Sequence, residues 1–176
     1  MVFNHIFHRT DPIMTPVEVV YDSLIKKSRE TIFYRDYGVP DTIDGRFDMI
    51  IIHAMLVFRR LRSRGEQAEI MSQNIFDLMF QDMDRSLREM GVGDLSVSKQ
   101  IKKMAKAFYG RASMYEEGLD GSNHTLAEAL IANVYRSSPV EENEIKAFTE
   151  YLRGIDAYLK KQSVEHILMG HIDFRM

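Results

Sequence analysis

The sequence predicts an all-α fold, a single-domain bundle of about six helices. Three observations carry that prediction. Apolar residues recur every three or four positions along most of the chain. No window alternates apolar and polar residues for long enough to suggest a sheet. Only four prolines occur, at positions 12, 16, 40 and 139, and they punctuate the helical pattern instead of interrupting it.

The first helix begins at Thr15-Pro16-Val17-Glu18: a hydroxyl N-cap, proline at the first helical position, and glutamate three residues after the cap. Behind it Val17, Val20, Tyr21, Leu24 and Ile25 keep helical spacing to about Tyr34, leaving Lys26, Lys27 and Arg29 outside. Residues 37–45 are rich in turn formers and read as a loop. A second helix is expected from about Arg46 to Arg62. It is apolar nearly all round, which marks the central helix of a bundle. Its most apolar run, Met49 to Phe58, is broken by His53 and is half the length that a bilayer crossing needs, about 20 residues.

Gly65 breaks to a third helix, about Glu66 to Met90, with Ile75, Leu78, Met79, Met83, Leu87 and Met90 on one side. Gly91-Val92-Gly93-Asp94 ends it with the usual left-handed glycine cap. The fourth helix, about Val97 to Glu116, carries an apolar stripe of Val97, Ile101, Met104, Phe108 and Tyr115. After the turn at Gly118 a shorter helix runs from about His124 to Tyr135. A last one runs from about Glu141 to near Leu168.

The 176 residues suit one domain, expected over 15–170 behind a flexible N-terminal segment over 1–14. The absence of cysteine excludes a disulfide framework, a thiolate zinc site, an iron–sulfur cluster and a cysteine nucleophile. With 45% hydrophobic and 28% charged residues the composition is that of a globular protein, neither disordered nor membrane-spanning. The first residues have no continuous apolar stretch, so no secretory signal is expected and the chain reads as soluble and intracellular.

Signals of catalysis are missing. The sequence has no glycine-rich phosphate loop, no HExxH pair and no serine elbow, and no catalytic residue is assigned. His5 with His8, and His166 with His171, lie near the termini without a third ligand in reach, so no metal site and no cofactor is expected. His53, inside an apolar helix, reads as a buried imidazole satisfied by one neighbour. Asp77, Asp82 and Asp84 lack the paired Glu-x-x-His motifs that a di-metal bundle requires. Asp84 with Arg88, and Arg85 with Glu89, are spaced to pair along the helix surface. With Asp94 they make a polar corner beside the double-glycine turn.

Basic residues cluster twice. Arg59, Arg60, Arg62 and Arg64 close the second helix, where positive charge suits the helix C-terminus. Lys99, Lys102, Lys103 and Lys106 share the face of the fourth helix opposite its apolar stripe. Such a face is either simply solvated or attracts anionic lipid headgroups or RNA. A net charge of −3 argues against a dedicated nucleic-acid binder and against specific DNA binding. The twelve methionines mostly fill gaps between helices; a minority exposed in a groove suits a protein that holds another protein's helix.

Two long motifs make the sequence familiar. Residues 37–48 read YGVPDTIDGRFD, and residues 74–95 read NIFDLMFQDMDRSLREMGVGDL, continuing through KQIKKMAKAFYGR at 99–111. In this order they resemble the ubiquinol–cytochrome c chaperones, assembly factors of the cytochrome bc1 complex. The resemblance extends over most of residues 15–160. It implies a non-enzymatic helical domain that assists biogenesis of cytochrome b by binding the newly made subunit, or a bc1 assembly intermediate; mitochondrial relatives also work near the ribosome's exit. Lacking an import presequence and a membrane anchor, the chain looks like the bacterial form, expected in the cytoplasm or peripherally at the inner membrane face. Val2, Phe3, Ile6 and Phe7 are spaced as one face of a short amphipathic turn. The expected protein-binding residues are Asp41, Asp44, Arg46, Asp48, Asp84, Arg85, Arg88, Glu89, Gly91, Gly93 and Asp94. Lys99, Lys102, Lys103, Lys106 and Arg111 are expected to form a basic face toward ribosome or membrane. The alternative is a helical ribosome- or RNA-binding module acting in translation through that basic face.

Overall fold

A computed structural model of the chain describes residues 14–136 and 138–175. The amphipathic turn expected at Val2, Phe3, Ile6 and Phe7 and the His5–His8 pair lie outside the described residues, as does nearly all of the segment 1–14. The fold is all-α and single-domain: α1 (Pro16–Ser28), α2 (Thr31–Arg35), α3 (Ile43–Leu61), α4 (Glu66–Glu89), α5 (Asp94–Asp120), α6 (Asn123–Leu130), α7 (Glu142–Lys161) and α8 (Val164–Leu168). A π turn, Ile131–Tyr135, extends α6.

The capping box of α1 forms as its sequence dictates. The Thr15 hydroxyl accepts from the Glu18 N–H at 3.3 Å, and the Glu18 carboxylate accepts from the Thr15 N–H at 2.8 Å. The helix stops six residues short of Tyr34, however. The Arg29 N–H turns back to the Lys26 and Lys27 carbonyls, Glu30 is extended, and α2 leaves in a new direction. In one continuous helix Phe33, nine residues after Leu24, would face about 180° away from it. The bend instead buries Phe33 against the rings of His53 and Tyr151, with centroids 5.3 and 5.2 Å away.

Helix α3 is the centre of the bundle. Every residue from Phe47 to Val57 is buried, and the helix packs against α1, α4, α5, α7 and the π turn. Each fully buried Ile, Leu or Met there contributes roughly 1.5–3 kcal/mol relative to exposure. It starts at Ile43, three residues before the expected Arg46, because the Thr42 hydroxyl caps the Gly45 N–H at 3.0 Å.

Two further departures from the expected six helices have local causes. The last turn of α6 widens by one residue into the π turn, which points Val134 and Tyr135 inward together; the Tyr135 hydroxyl donates to the Tyr37 carbonyl at 2.6 Å. The last helix divides at Gln162. Its backbone turns extended, its carbonyl accepts from Arg60 at 3.1 Å, and its side-chain amide pairs with both backbone groups of Asp173, at 2.6 and 2.9 Å. The core continues past residue 170 to the buried Phe174.

The α5–α6 hairpin requires Gly118. A Cβ there would lie 2.7 Å from the Leu126 Cα, closer than any side chain permits. Helix α5 has no basic residue in its last turn, and Arg153 of α7 takes that place, donating to the Gly118, Leu119 and Gly121 carbonyls at 2.9–3.0 Å.

Candidate functional site

The polar corner forms around Arg88. Its guanidinium holds Asp84 at 2.6 Å and reaches across the glycine turn to Asp94, so α4 is tied to the first turn of α5. Gly91 takes a φ of +81° at the turn, the left-handed cap that its position predicts. The spacing of Arg85 and Glu89 suggested a pair, but Arg85 binds Asp82 at 2.7 Å. Asp82 is buried and accepts the Tyr21 hydroxyl at 3.1 Å from α1, which makes it the stronger anchor. Glu89 and Gly93 are exposed.

The Asp41–Asp48 segment is a loop only to Thr42. Asp41 and Arg46 pair at the surface at 2.7 Å, and Asp44 stands exposed in the first turn of α3, where a negative charge suits the helix N-terminus. Asp48 lies inside. It is fully buried and held by two arginines, Arg111 of α5 and, at 2.8 Å, Arg136 at the end of the π turn; Arg136 also reaches Asp44 at 3.4 Å. Burial pushes the Asp48 carboxyl up to about 6, against the pull of both guanidiniums. Arg111, read from the sequence with the basic face, is thus turned inward, its side chain only 18% exposed. Sequence reasoning missed Arg136. It holds a φ of +52°, rare for a residue with a side chain, and nothing in its residue type announces that.

Beside this cluster opens a groove of about 240 Å³ between the start of α3, the end of α4 and the first half of α5. Its apolar lining is Ile43, Phe47, Met83, Leu87, Met90 and Met104, and Asp44, Lys103 and Arg111 stand among them. The spacing of Met83, Leu87 and Met90 puts them on one face of α4, a signal present in the sequence but one that equally describes a core stripe. Five methionines (49, 55, 71, 79 and 83) are buried, Met90 and Met104 are half-buried along the groove, and Met14, Met114 and Met169 are exposed away from it, so fewer fill gaps between helices than composition suggests. A second, more open cleft of about 320 Å³ lies at the other end of α3, lined by Phe58, Phe76, Phe108 and Tyr109.

His53 is sealed in the core. One ring nitrogen, Nδ1, lies 2.7 Å from the Met49 carbonyl and 3.1 Å from the Ser28 hydroxyl, and the other lies 2.8 Å from the Tyr151 hydroxyl. With the proton on Nδ1, Nε2 accepts from Tyr151, and burial lowers the imidazole from 6.5 to about 4. The imidazole therefore has more partners than the single neighbour expected. His166 and His171 are exposed, and among the described residues no group of three or more His, Asp or Glu stands where it could hold a metal ion. Lys99, Lys102, Lys103 and Lys106 are all exposed on α5. Among the described residues, no helix is long and apolar enough to cross a membrane.

Comparisons with known proteins place the chain in a family. The family model described as "Ubiquinol-cytochrome C chaperone" matches residues 35–174. Ubiquinol-cytochrome c reductase complex assembly factor 1 of Mus musculus is 26% identical over 157 residues, 89% of this chain and 53% of that protein. The mitochondrial protein CBP3 of Saccharomyces cerevisiae is 27% identical over 106 residues, 58% of this chain and 32% of that protein. The chain therefore spans about half the length of the mouse relative. The crystal structure of the Cbp3 homolog from Brucella abortus is 32% identical, with a TM-score of 0.80 over 90% of each chain, so the same fold occurs in a bacterial protein. The chain belongs to the ubiquinol–cytochrome c chaperone family.

Proposed function

We propose that this chain is an assembly factor of the cytochrome bc1 complex that binds newly made cytochrome b and performs no chemistry of its own. The family match over residues 35–174 carries the assembly role. The groove of Met83, Met90 and Met104 supports the choice of an apolar helix as client: unbranched, polarisable side chains repack around varied apolar shapes and bind them reversibly. Asp44, Lys103 and Arg111 in the groove lining give a partner's polar flank something to pair with. A chaperone must release its client, and a groove of about 240 Å³ lined by adaptable side chains suits moderate affinity for a helix.

Deleting the gene tests the reading. Assembled bc1 complex and cytochrome b should fall while other respiratory complexes persist, and a photo-crosslinking side chain at Met90 should capture cytochrome b from native membranes. Unchanged cytochrome b in the deletion strain refutes it.

A further inference from the structure

Helix α5 presents an outer face apart from the core and the methionine groove; at its far end the Tyr109 ring also rests beside Phe76 of α4, centroids 5.5 Å apart, at the rim of the second cleft. At about 100° per residue, Leu95, Lys99, Lys102, Lys106 and Tyr109 fall within roughly 80° of arc, and Lys103 lies on its edge beside the groove. The inward residues Val97, Phe108 and Tyr115 occupy the opposite side and are buried. Leu95 is 92% exposed and Tyr109 64% exposed, so an apolar and an amphipathic side chain stand at the two ends of the lysine row, about 21 Å apart along the helix.

The charge of this face is one-sided. Residues 95–115 contain four lysines and Arg111 but no acidic residue, in a chain whose net charge is −3. Arg111 is committed to Asp48. The four lysines make no ion pair within the described structure. The neighbouring acids are spoken for: Asp84 and Asp94 are held by Arg88. The first acid on the same face is Glu117, about 12 Å beyond Tyr109, where it accepts from the Ser113 hydroxyl at 3.0 Å. Four unpaired lysines in a row, with a leucine bare to solvent at one end and a tyrosine at the other, match the layering of a bilayer surface: anionic headgroups for the ammonium groups, the headgroup–acyl boundary for leucine and the phenol.

We propose that the outer face of α5 docks the protein on an anionic lipid bilayer, with Lys99, Lys102, Lys103 and Lys106 against the headgroups and Leu95 and Tyr109 inserted at the boundary. The docking does not depend on which client occupies the groove. RNA offers the same charge but no apolar layer for Leu95, which is what favours the bilayer.

The chain has no tryptophan, so Leu95→Trp installs a single reporter at the proposed insertion point. The protein should float with phosphatidylcholine vesicles carrying about 30% phosphatidylglycerol and not with phosphatidylcholine alone. Emission from the introduced indole should shift to the blue only with the anionic vesicles. Raising salt from about 0.1 M to about 1 M shortens the screening length from about 10 Å to about 3 Å and should release it. Replacing one lysine by glutamine should cut partitioning about fivefold, the equivalent of about 1 kcal/mol, and replacing all four should abolish it with an unchanged far-ultraviolet circular dichroism spectrum. The reporter variant keeps its lysines, so the emission test stands even if the fourfold variant misfolds. Equal flotation with neutral vesicles, no flotation, an unshifted emission, or ribosomal RNA displacing the protein from anionic vesicles overturns the proposal.

Discussion

Two of the buried ionisable groups, His53 and Asp48, should move stability in opposite directions with pH, and removing either one should expose the other. His53 titrates at about 4 when folded and at 6.5 in its ordinary range, so the unfolded chain binds more protons between those values. Its contribution is therefore present above pH 6.5 and is lost as pH falls toward 4. Asp48 titrates at about 6 when folded against an ordinary 3.8, so here the folded chain binds more protons. Its burdened carboxylate is relieved as pH falls from 6 toward 3.8. Between pH 7.5 and 4.5 the His53 effect costs about 2–3 kcal/mol and the Asp48 effect returns about 2 kcal/mol, so in the parent the two largely offset one another. The exposed carboxylates held low by arginines, such as Asp36, Asp41 and Asp120, lose their stabilisation only as pH falls through and below their ordinary 3.8, outside this window.

The perturbation is His53→Gln, whose amide keeps polar partners in reach of Met49 and Tyr151. The assay is urea unfolding from pH 4.5 to 7.5. The variant should be less stable at pH 7.5, because a buried and fully bonded ring has been replaced, but its stability should rise on acidification where the parent stays nearly level. The gap between the two should narrow by about 2–3 kcal/mol across the window. Asp48→Asn should do the reverse and lose about 2 kcal/mol relative to the parent as pH falls from 7.5 to 4.5. A gap that stays constant with pH for both variants refutes the buried-titration account.

Gly118→Ala should lower the thermal midpoint and cost about 1–3 kcal/mol, because the new Cβ meets Leu126 backbone and the hairpin must open. Arg153→Gln should cost about 1.5–3 kcal/mol by leaving the carbonyls at the end of α5 without their charged donor, read by denaturant unfolding. Arg88→Ala, at an exposed pair of bridges, should change stability by no more than about 1 kcal/mol. Met104→Glu should leave unfolding nearly unchanged, since that side chain is half-exposed, while abolishing client crosslinking at the groove.

What the sequence made legible was local. The Thr15 cap, the Gly91 turn, the apolar girth of α3 and the pairing of Asp84 with Arg88 each depend on residues within a few positions of one another, and each formed. What was illegible depends on partners brought together by packing. Asp48 reads as one more acid in a polar loop; only the arrival of Arg111, 63 residues on, and Arg136, 88 residues on, makes it interior. The breaks at Arg29 and Gln162 follow the same rule. Neither has a proline or glycine to signal it, and both are imposed by where Phe33 and Asp173 must go. The groove was half legible: its methionines were counted, but the lining comes from three helices that only the fold brings together.

Helix α5 gives the two proposals a common geometry. Its side chains point three ways: Val97, Phe108 and Tyr115 into the core, Met104 and Arg111 toward the groove, and the lysine row outward. Lys103 stands on the border, lining the groove and flanking the lysine row at once. A bilayer against the outer face would therefore run alongside the groove's mouth, with Ile43, 56% exposed, on the opposite lip. An apolar client helix leaving the bilayer could then enter the groove without crossing open water, which is the step where an unpartnered membrane helix aggregates. This arrangement makes the two functions separable by mutation. Lys103→Gln should weaken both vesicle binding and client crosslinking, whereas Lys99→Gln and Lys102→Gln, whose side chains are not part of the groove lining, should weaken vesicle binding alone when crosslinking is measured with detergent-solubilised client. If all three lysines affect the two assays in the same proportion, the groove and the outer face are one surface and this division of α5 is wrong.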